Sequence, residues 1–395
     1  MIDFEIAPLT KEVIKKTHDF GENFTRKIAR YYDEYEHEHE ELTEEQISTI
    51  KEHQKSLLKM MQDPDKPREK PALSNVMIGE ERSWGDQATL SGATRMGLGN
   101  AAINAVATDD QKKRFGHLFA AMAITEPGCG SDTASISTTA KLDEKTNEWV
   151  LNGEKIFVTS GRRCEAVVVW ATLDKSVGRA AIKSFVIEKT RPGITITKNE
   201  KKLGIRASDT VSIVLEDCRI PYDNILGSPE IKERKKGLGG AMATFDATRP
   251  GVAAGAVGIS RAALDFTKAK LEEEGYTFPY DRGLHSLSAI QRDILEMEAN
   301  LDASRLLIWR AAAMMDQKLR NSKEASMSKA KAGKAATLVC QKCVAILGPL
   351  GYSREWLVEK WMRDCKITDL YEGTGQINTL IVARQILGYT RHELK

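Results

Sequence analysis

Hydrophobic and charged positions divide the chain into three textures. Over the first part, apolar residues recur three and four apart among lysines and glutamates, as in KEVIKKTHDFGENFTRKIARYYDEY and TEEQISTIKEHQKSLLKMMQ, with a break at DPDKPREKPAL. That spacing gathers the apolar side chains on one face of each helix and predicts a helical domain over 1–118. From Phe119 the runs become short and β-branched. Ile194, Thr195, Ile196 and Thr197 alternate, Val211 to Leu215 is a second such run, and EWVLNGEKIFVTS carries Asn152-Gly153 between two strand-like segments, which predicts a hairpin at that pair. An antiparallel β domain over 119–228 follows from this pattern. Long helical blocks then return, in TRPGVAAGAVGISRAALDFTKAKLEEE, SAIQRDILEMEANLDASRLLIWRAAAMMDQKL, SKAKAGKAATLVCQKCVAILG and the stretch after Glu372, predicting a four-helix bundle over 229–395. The fold class is mainly α with a central β domain, and helices, strands, helices is not the order of a βαβ nucleotide fold.

Composition narrows the partners. The 395 residues carry 58 Lys and Arg against 56 Asp and Glu, a net charge of +2, so the overall charge calls for neither nucleic acid nor an anionic membrane. A small molecule or a protein is the expected partner. No run approaches the ~18 consecutive apolar residues of a membrane span, and MIDFEIAPLTKE lacks the features of a secretion signal, so a cytoplasmic protein is expected. Six scattered cysteines read as reduced thiols. Cys340 and Cys343 form a CxxC but share an apolar helical stripe with Ala336, Val339, Ile346 and Leu347, which favours core packing, and His37 and His39 lie in a charged run that reads as a solvated helix face. No metal is expected.

Two glycine motifs point in different directions. Gly97 to Ala102 reads GLGNAA and matches the dinucleotide fingerprint GxGxxA, but no strand precedes it and no βαβ unit surrounds it, so it predicts no NAD site. AITEPGCGSDTAS follows an apolar strand and would expose N–H groups and hydroxyls able to hold a phosphate or a polar ring edge, unless it is an ordinary loop. Near the end, DLYEGTGQINTL sets Glu372 in a glycine-rich elbow before an amphipathic stretch. Read alone, Glu372 is a helix-capping acid, favoured by unpaired N–H groups and the helix dipole. A catalytic carboxylate is the competing reading.

Those segments also belong to a longer series. AITEPGCGSD, LNGEKIFVTSG, KKLGIRASDT, LEDCRIPYDNILG, FDATRPGVAAGAVGISRAALD, VEKWMRDCKITDLYEGTGQI and IVAR stand in the order and approximate spacing of the acyl-CoA dehydrogenase family, which the chain resembles from about Trp84 onward. The resemblance implies helical, barrel-like β and helical-bundle domains, FAD between the last two, and a homotetramer or heterotetramer. It implies that Thr125, Ser131, Phe157, Val158 and Thr159 contact the flavin, with Thr374, Gln376, Leu347 and Gly348 as further FAD contacts. Asp246 and Arg249 would meet the adenosine part of CoA, Ser131 the pantetheine and Gly373 the thioester. Glu372 would be the base that takes the α-proton while the β-hydrogen leaves as hydride to flavin N5, giving a 2,3-enoyl-CoA. Electrons would pass to an electron-transferring flavoprotein, with Glu216 facing that partner or serving as a plain surface acid.

The chain also departs from the family pattern. Phe157 stands where tryptophan is common, no arginine precedes Tyr276, Ala345 replaces the usual glutamine and Pro349 a glycine, all but the first in regions that hold the far half of FAD in the family. Arg282 is the candidate to replace the missing arginine. These departures keep an FAD-poor, acyl-CoA-binding subunit of a hetero-oligomer as the alternative function, beside an oxidase that uses the same residues. Arg95, in the stretch Ala88 to Asn104 that lines the acyl pocket in the family, would suit a polar or carboxylated acyl group unless it lies on the outer helix face.

Overall fold

The computed structural model describes residues 5–36, 42–63, 66, 67, 69–93, 97–231, 239–390 and 393. His37, His39 and Arg95 lie outside the described residues. The chain divides into two compact units, one formed by 1–93, 202–207 and 248–395, the other by 94–201 and 208–247. Helices α1 (Pro8–Phe20), α2 (Arg26–Tyr35), α3 (Glu44–Met61), α4 (Pro71–Ala93), α5 (Leu98–Val106) and α6 (Asp109–Phe115) come first. Strands β1 (Ala120–Ala123), β2 (Thr139–Asp143), β3 (Glu148–Thr159), β4 (Ala166–Thr172), β5 (Ile182–Glu188), β6 (Ile194–Asn199) and β7 (Thr210–Pro221) follow. The chain then runs through α7 (Gly239–Glu273), α8 (Ala289–Asp316), α9 (Ser322–Leu347), α10 (Pro349–Tyr352), α11 (Val358–Cys365) and α12 (Gly375–Leu387).

In the first unit the core is the seam of α7, α8, α9 and α11, where small side chains let backbones approach. Ala253, Ala254, Ala256, Ala262 and Ala263 of α7 pack with Ile294, Met297 and Leu301 of α8 and with Ala332, Ala336 and Val339 of α9. Cys340, Cys343 and Cys365 are buried in this same core, as the apolar stripe on α9 predicts. Helix α4 bends at Asp86 (φ −169°, ψ 114°), whose carboxylate accepts from the Thr89 N–H at 2.7 Å, starting the second half of the helix, and from the buried Lys360 at 2.6 Å. Lys360 also donates to Asp364 at 2.5 Å, and Asp364 in turn accepts from the Ile205 N–H at 2.6 Å, which ties the 202–207 loop to α11.

In the second unit the strands form one sheet in the order β1-β4-β2-β3-β7-β6, with β5 on the other side of β4. It is not wholly antiparallel: β1 runs parallel to β4, and β2 meets β4 in parallel at Thr139↔Thr172. A parallel pair needs a long connection, and here β2 and β3 supply it. The hairpin expected at Asn152-Gly153 is a correction. β3 runs straight through that pair, which forms a bulge against β7, and the turn lies earlier, between β2 and β3, where Asn147 has φ +55°. Gly153 (φ +152°) is needed at the bulge because a Cβ there would stand 2.4 Å from Thr138 Oγ1. A glycine beside asparagine thus signals positive φ without saying whether a turn or a bulge will use it.

The GLGNAA motif opens α5, and a strand follows it instead of preceding it. A Cβ on Gly97 would lie 2.2 Å from the Ala120 carbonyl oxygen, and one on Gly99 2.3 Å from that of Ala121. These glycines bring α5 against β1; they do not cradle a phosphate. Asn100 completes the junction, donating to the Leu118 carbonyl at 2.7 Å and accepting from the Ala120 N–H at 3.0 Å. A Gly99→Ala substitution must push backbone against backbone and is expected to cost about 1–3 kcal/mol, read as a lowered thermal midpoint.

Candidate active site

The expected site residues fall into two groups, one in each unit. In the first unit, a 3-10 turn (Lys366–Asp369) leads into an elbow where Glu372 and Gly373 take φ +53° and +94° before α12 begins. Glu372 does not cap that helix. The cap is Thr374, whose Oγ1 accepts from the Ile377 N–H at 3.2 Å. The Glu372 carboxylate is turned the other way and accepts from Thr248 Oγ1 at 2.7 Å.

The backbone of the elbow is held from three helices. Arg249 of α7 donates through Nε to the Glu372 carbonyl at 3.1 Å and through Nη1 to Ser326 Oγ of α9 at 3.3 Å. Lys329 of α9 donates to the Gly373 carbonyl at 2.9 Å. Asn378 of α12 donates to the same carbonyl at 2.7 Å and to that of Thr374 at 3.1 Å. Burial is the main influence on the carboxyl and pushes it up to about 7, against the Thr248 hydroxyl and the Arg249 and Lys329 cations that favour the charged form. A group that changes charge near neutrality is poised to accept a proton and release it again.

Arg249 is 2% exposed, with its guanidinium hydrogen-bonded to the Glu372 carbonyl and to Ser326. Asp246, one turn earlier, is half-buried. Gln376 is exposed, Leu347 and Gly348 are half-buried at the end of α9, and Arg282 and Glu216 are exposed. Thr248, Ser326, Lys329 and Asn378 were not picked out from the sequence. A signal was present for two of them: Ser326, Lys329 and Gly333 share one face of a helix otherwise lined by alanine, and a lone lysine on such a face needs a buried partner.

In the second unit, the TEPGCGS loop leaves β1 and is anchored by a buried ion pair. Lys155 donates to Glu126 Oε1 at 2.7 Å and to the Ile124 carbonyl at 3.2 Å, while Glu126 also accepts from the N–H groups of Ser137 at 2.6 Å and Thr138 at 3.0 Å. Burial raises the Glu126 carboxyl, and the Lys155 ammonium with these donors overcomes that and holds it at about 2. Beside the loop, β3 bulges between Lys155 and Val158, with the Ile156 N–H turned to the Thr125 carbonyl at 2.9 Å. Phe157 takes φ +56° at the bulge and is 58% exposed, whereas Val158 is fully buried and could meet a ligand only through its main chain. Thr159 and Ser131 are exposed and Thr125 is half-buried.

These residues fit a flat ring system. A large aromatic held outward in left-handed backbone offers an apolar face that nothing in the fold demands. A Cβ added at Gly128 would meet nothing within 4 Å, and one at Gly130 only Thr125 Cγ2 at 3.8 Å, so the chain itself does not need these glycines; a ligand against the loop would.

Comparison with known proteins decides the family. Residues 121–218 match the family model "Acyl-CoA dehydrogenase, middle domain" and residues 235–387 match "Acyl-CoA dehydrogenase, C-terminal domain". The bovine mitochondrial short-chain specific acyl-CoA dehydrogenase is 40% identical over 286 residues, 71% of this chain and 67% of that protein. The chain belongs to the acyl-CoA dehydrogenase family. The family is one of FAD-dependent oxidoreductases, and FAD is the flat ligand that the bulge and loop of the β unit suit.

Two further relatives bear on function. The caffeyl-CoA reductase–Etf complex subunit CarC of Acetobacterium woodii is 37% identical over 68% of each chain. The structure of butyryl-CoA dehydrogenase from Megasphaera elsdenii superposes with a TM-score of 0.81 at 30% identity, covering 98% of this chain and 100% of that one. Alignments with mammalian short-chain acyl-CoA dehydrogenases span 62 to 67% of those proteins.

The anchoring pair yields a test. Glu126→Gln leaves Lys155 buried without its counter-charge and is expected to cost about 3–5 kcal/mol in thermal or denaturant unfolding. Because the Glu126 carboxyl is depressed to about 2 in the folded protein, its contribution is present above the unfolded carboxyl range and is lost as pH falls toward that value. Acid unfolding of the variant should lack that component.

Proposed function

We propose that this protein is an FAD-dependent acyl-CoA dehydrogenase that removes hydrogen from Cα and Cβ of an acyl-CoA to give the 2,3-enoyl thioester. The observation that carries the reading is the Glu372 carboxylate, pushed up to about 7 by burial and held in a left-handed elbow. The α-hydrogen of a thioester is a weak acid, so its removal needs a base whose proton affinity is raised and whose position is fixed. Glu372 takes the α-proton onto a carboxylate oxygen, and the Thr248 hydroxyl orients that carboxylate. The Glu372 N–H, in the same elbow, is proposed to donate to the thioester oxygen as negative charge builds there. Gly373 has no side chain to obstruct the thioester's approach to that backbone. FAD, when bound, accepts the β-hydrogen as hydride.

Thr125, Ser131, Thr159 and the backbone at Val158 are proposed to hold the flavin against the face of Phe157, with Thr374, Gln376, Leu347 and Gly348 as further FAD contacts. Electrons are proposed to leave to an electron-transferring flavoprotein, a reading supported by the Etf-complex relative and by the exposed Glu216. The domains are proposed as 1–118, 119–228 and 229–395, and the protein as a cytoplasmic tetramer.

Purified protein is expected to be yellow and to bleach with a suitable acyl-CoA; colourless protein that binds acyl-CoA would overturn the reading. Glu372→Gln should lower kcat by about 10²–10⁴-fold while the flavin stays bound. The substitution also has a signature independent of turnover. The folded-state value of Glu372, about 7, lies above its unfolded value, so folding is penalised once pH exceeds the unfolded carboxyl range, fully so above about 7. Glu372→Gln should therefore melt higher than the unmodified protein at pH above about 7, with the gap closing as pH falls toward about 5.

A further inference from the structure

Among the described residues three lysines are fully buried, and their surroundings differ. Lys155 meets the Glu126 carboxylate, and Lys360 meets two, Asp86 and Asp364. Lys329 is hydrogen-bonded only to a neutral group among the described residues, the Gly373 carbonyl at 2.9 Å. A buried ammonium without a carboxylate in contact is costly and is retained where its charge has a use. Its surroundings show what that use is. The Gly373 carbonyl belongs to the left-handed elbow, Nζ stands 6.0 Å from the centre of the Tyr371 ring, and the charged groups that act on it are Asp369 of the 3-10 turn, Glu372 and, repulsively, Arg249 of α7. One turn along α9, a Cβ on Gly333 would lie 2.9 Å from Asp369 Cα, so this face of the helix lies directly against the segment leading to the elbow.

We propose that Lys329 is a positioning residue for the Glu372 base: its ammonium pins the Gly373 carbonyl, keeping the elbow left-handed, and supplies from α9 a positive charge that acts on the carboxylate. The inference rests on the reading of Glu372 as the α-proton base. Hydrogen bond and charge have separable effects. Holding Gly373 fixes where the carboxylate stands relative to a thioester, and small misplacement of a base is expensive in rate. The charge favours the ionised carboxylate, so the base is free of its proton at a lower pH than burial alone would allow. Arg249 and Thr248 act in the same direction from α7, and Asp369 acts on Lys329, favouring its charged form. Burial brings Lys329 itself down to about 8, so the charge it supplies is lost above that pH.

Two substitutions in the holoenzyme separate these effects. Lys329→Gln keeps a donor for the Gly373 carbonyl and removes the charge; Lys329→Met removes both. Both variants should move the acid limb of kcat/KM upward by about one pH unit, and Lys329→Met should also lose about ten- to a hundredfold in kcat with KM little changed. Folded, yellow variants whose acid limb and kcat match the unmodified enzyme would overturn the proposal. If neither variant folds, Lys329→Arg decides, since it keeps the charge but cannot place its donor at the same point: kcat lowered about tenfold with the acid limb unmoved supports the proposal, and an unchanged kcat overturns it. Glu372→Gln, measured alongside, separates the two readings. If it retains activity, the base assignment fails; if it is inactive while the Lys329 variants behave normally, only this inference fails.

Discussion

A carboxylate that works as a base has to be fixed through its own backbone, and here that backbone is in an unfavourable conformation. Glu372 and Gly373 are consecutive residues at φ +53° and +94°, and a non-glycine residue in that region costs about 1–3 kcal/mol. Hydrogen bonds to the two carbonyls from Arg249, Lys329 and Asn378 offset it. Because the donors come from α7, α9 and α12, the elbow exists only if those helices pack at a set distance. The alanine-lined seam of α7 and α9 provides that spacing, since small residues let the backbones approach. Core composition and site geometry are therefore one constraint.

The same reasoning explains why the fold tolerates so many buried cations. A charge removed from water is stabilised only when its hydrogen bonds are met, and burial competes with the partners' charge to set the direction of its pKa, so that Lys155, with one carboxylate, is still lowered. Lys360, between two carboxylates, is raised; Lys329, against a carbonyl, is lowered. Identical side chains at equal burial thus do different work. Lys360 joins α11 to the bend in α4, while Glu126 and Lys155 tie the loop after β1 to β3. In each case the ion pair joins segments far apart in sequence where an apolar contact would leave their relative register less constrained.

Helical blocks, the β domain and the cysteine stripe were legible in the sequence because each follows from local periodicity. The dipeptide Asn152-Gly153 reports only that φ will be positive; the close approach of Thr138, just before β2, is what requires glycine at the bulge. Glu372 stood out by the residues around it. The bonds of Arg249 to the elbow were not legible because they depend on α9 and on residues 123 positions away, neither of which is near it in the chain. Lys329 lies in a stretch legible only as helix, and its role appears once its partner, forty-four residues away, is known.

The position of the Glu372 titration follows from a competition that no single residue determines. Burial alone would keep the carboxyl protonated, leaving no base; full pairing with a cation would hold it ionised, as Glu126 is by Lys155, and leave it too weak to take a proton from carbon. The observed arrangement lies between these limits. Arg249 reaches the Glu372 backbone and Lys329 reaches that of Gly373, so both cations act on the carboxylate without being bonded to it in the way Lys155 is bonded to Glu126. Attaching the positive charges to carbonyls and the hydroxyl of Thr248 to the carboxylate separates the means of holding the base from the means of keeping it basic.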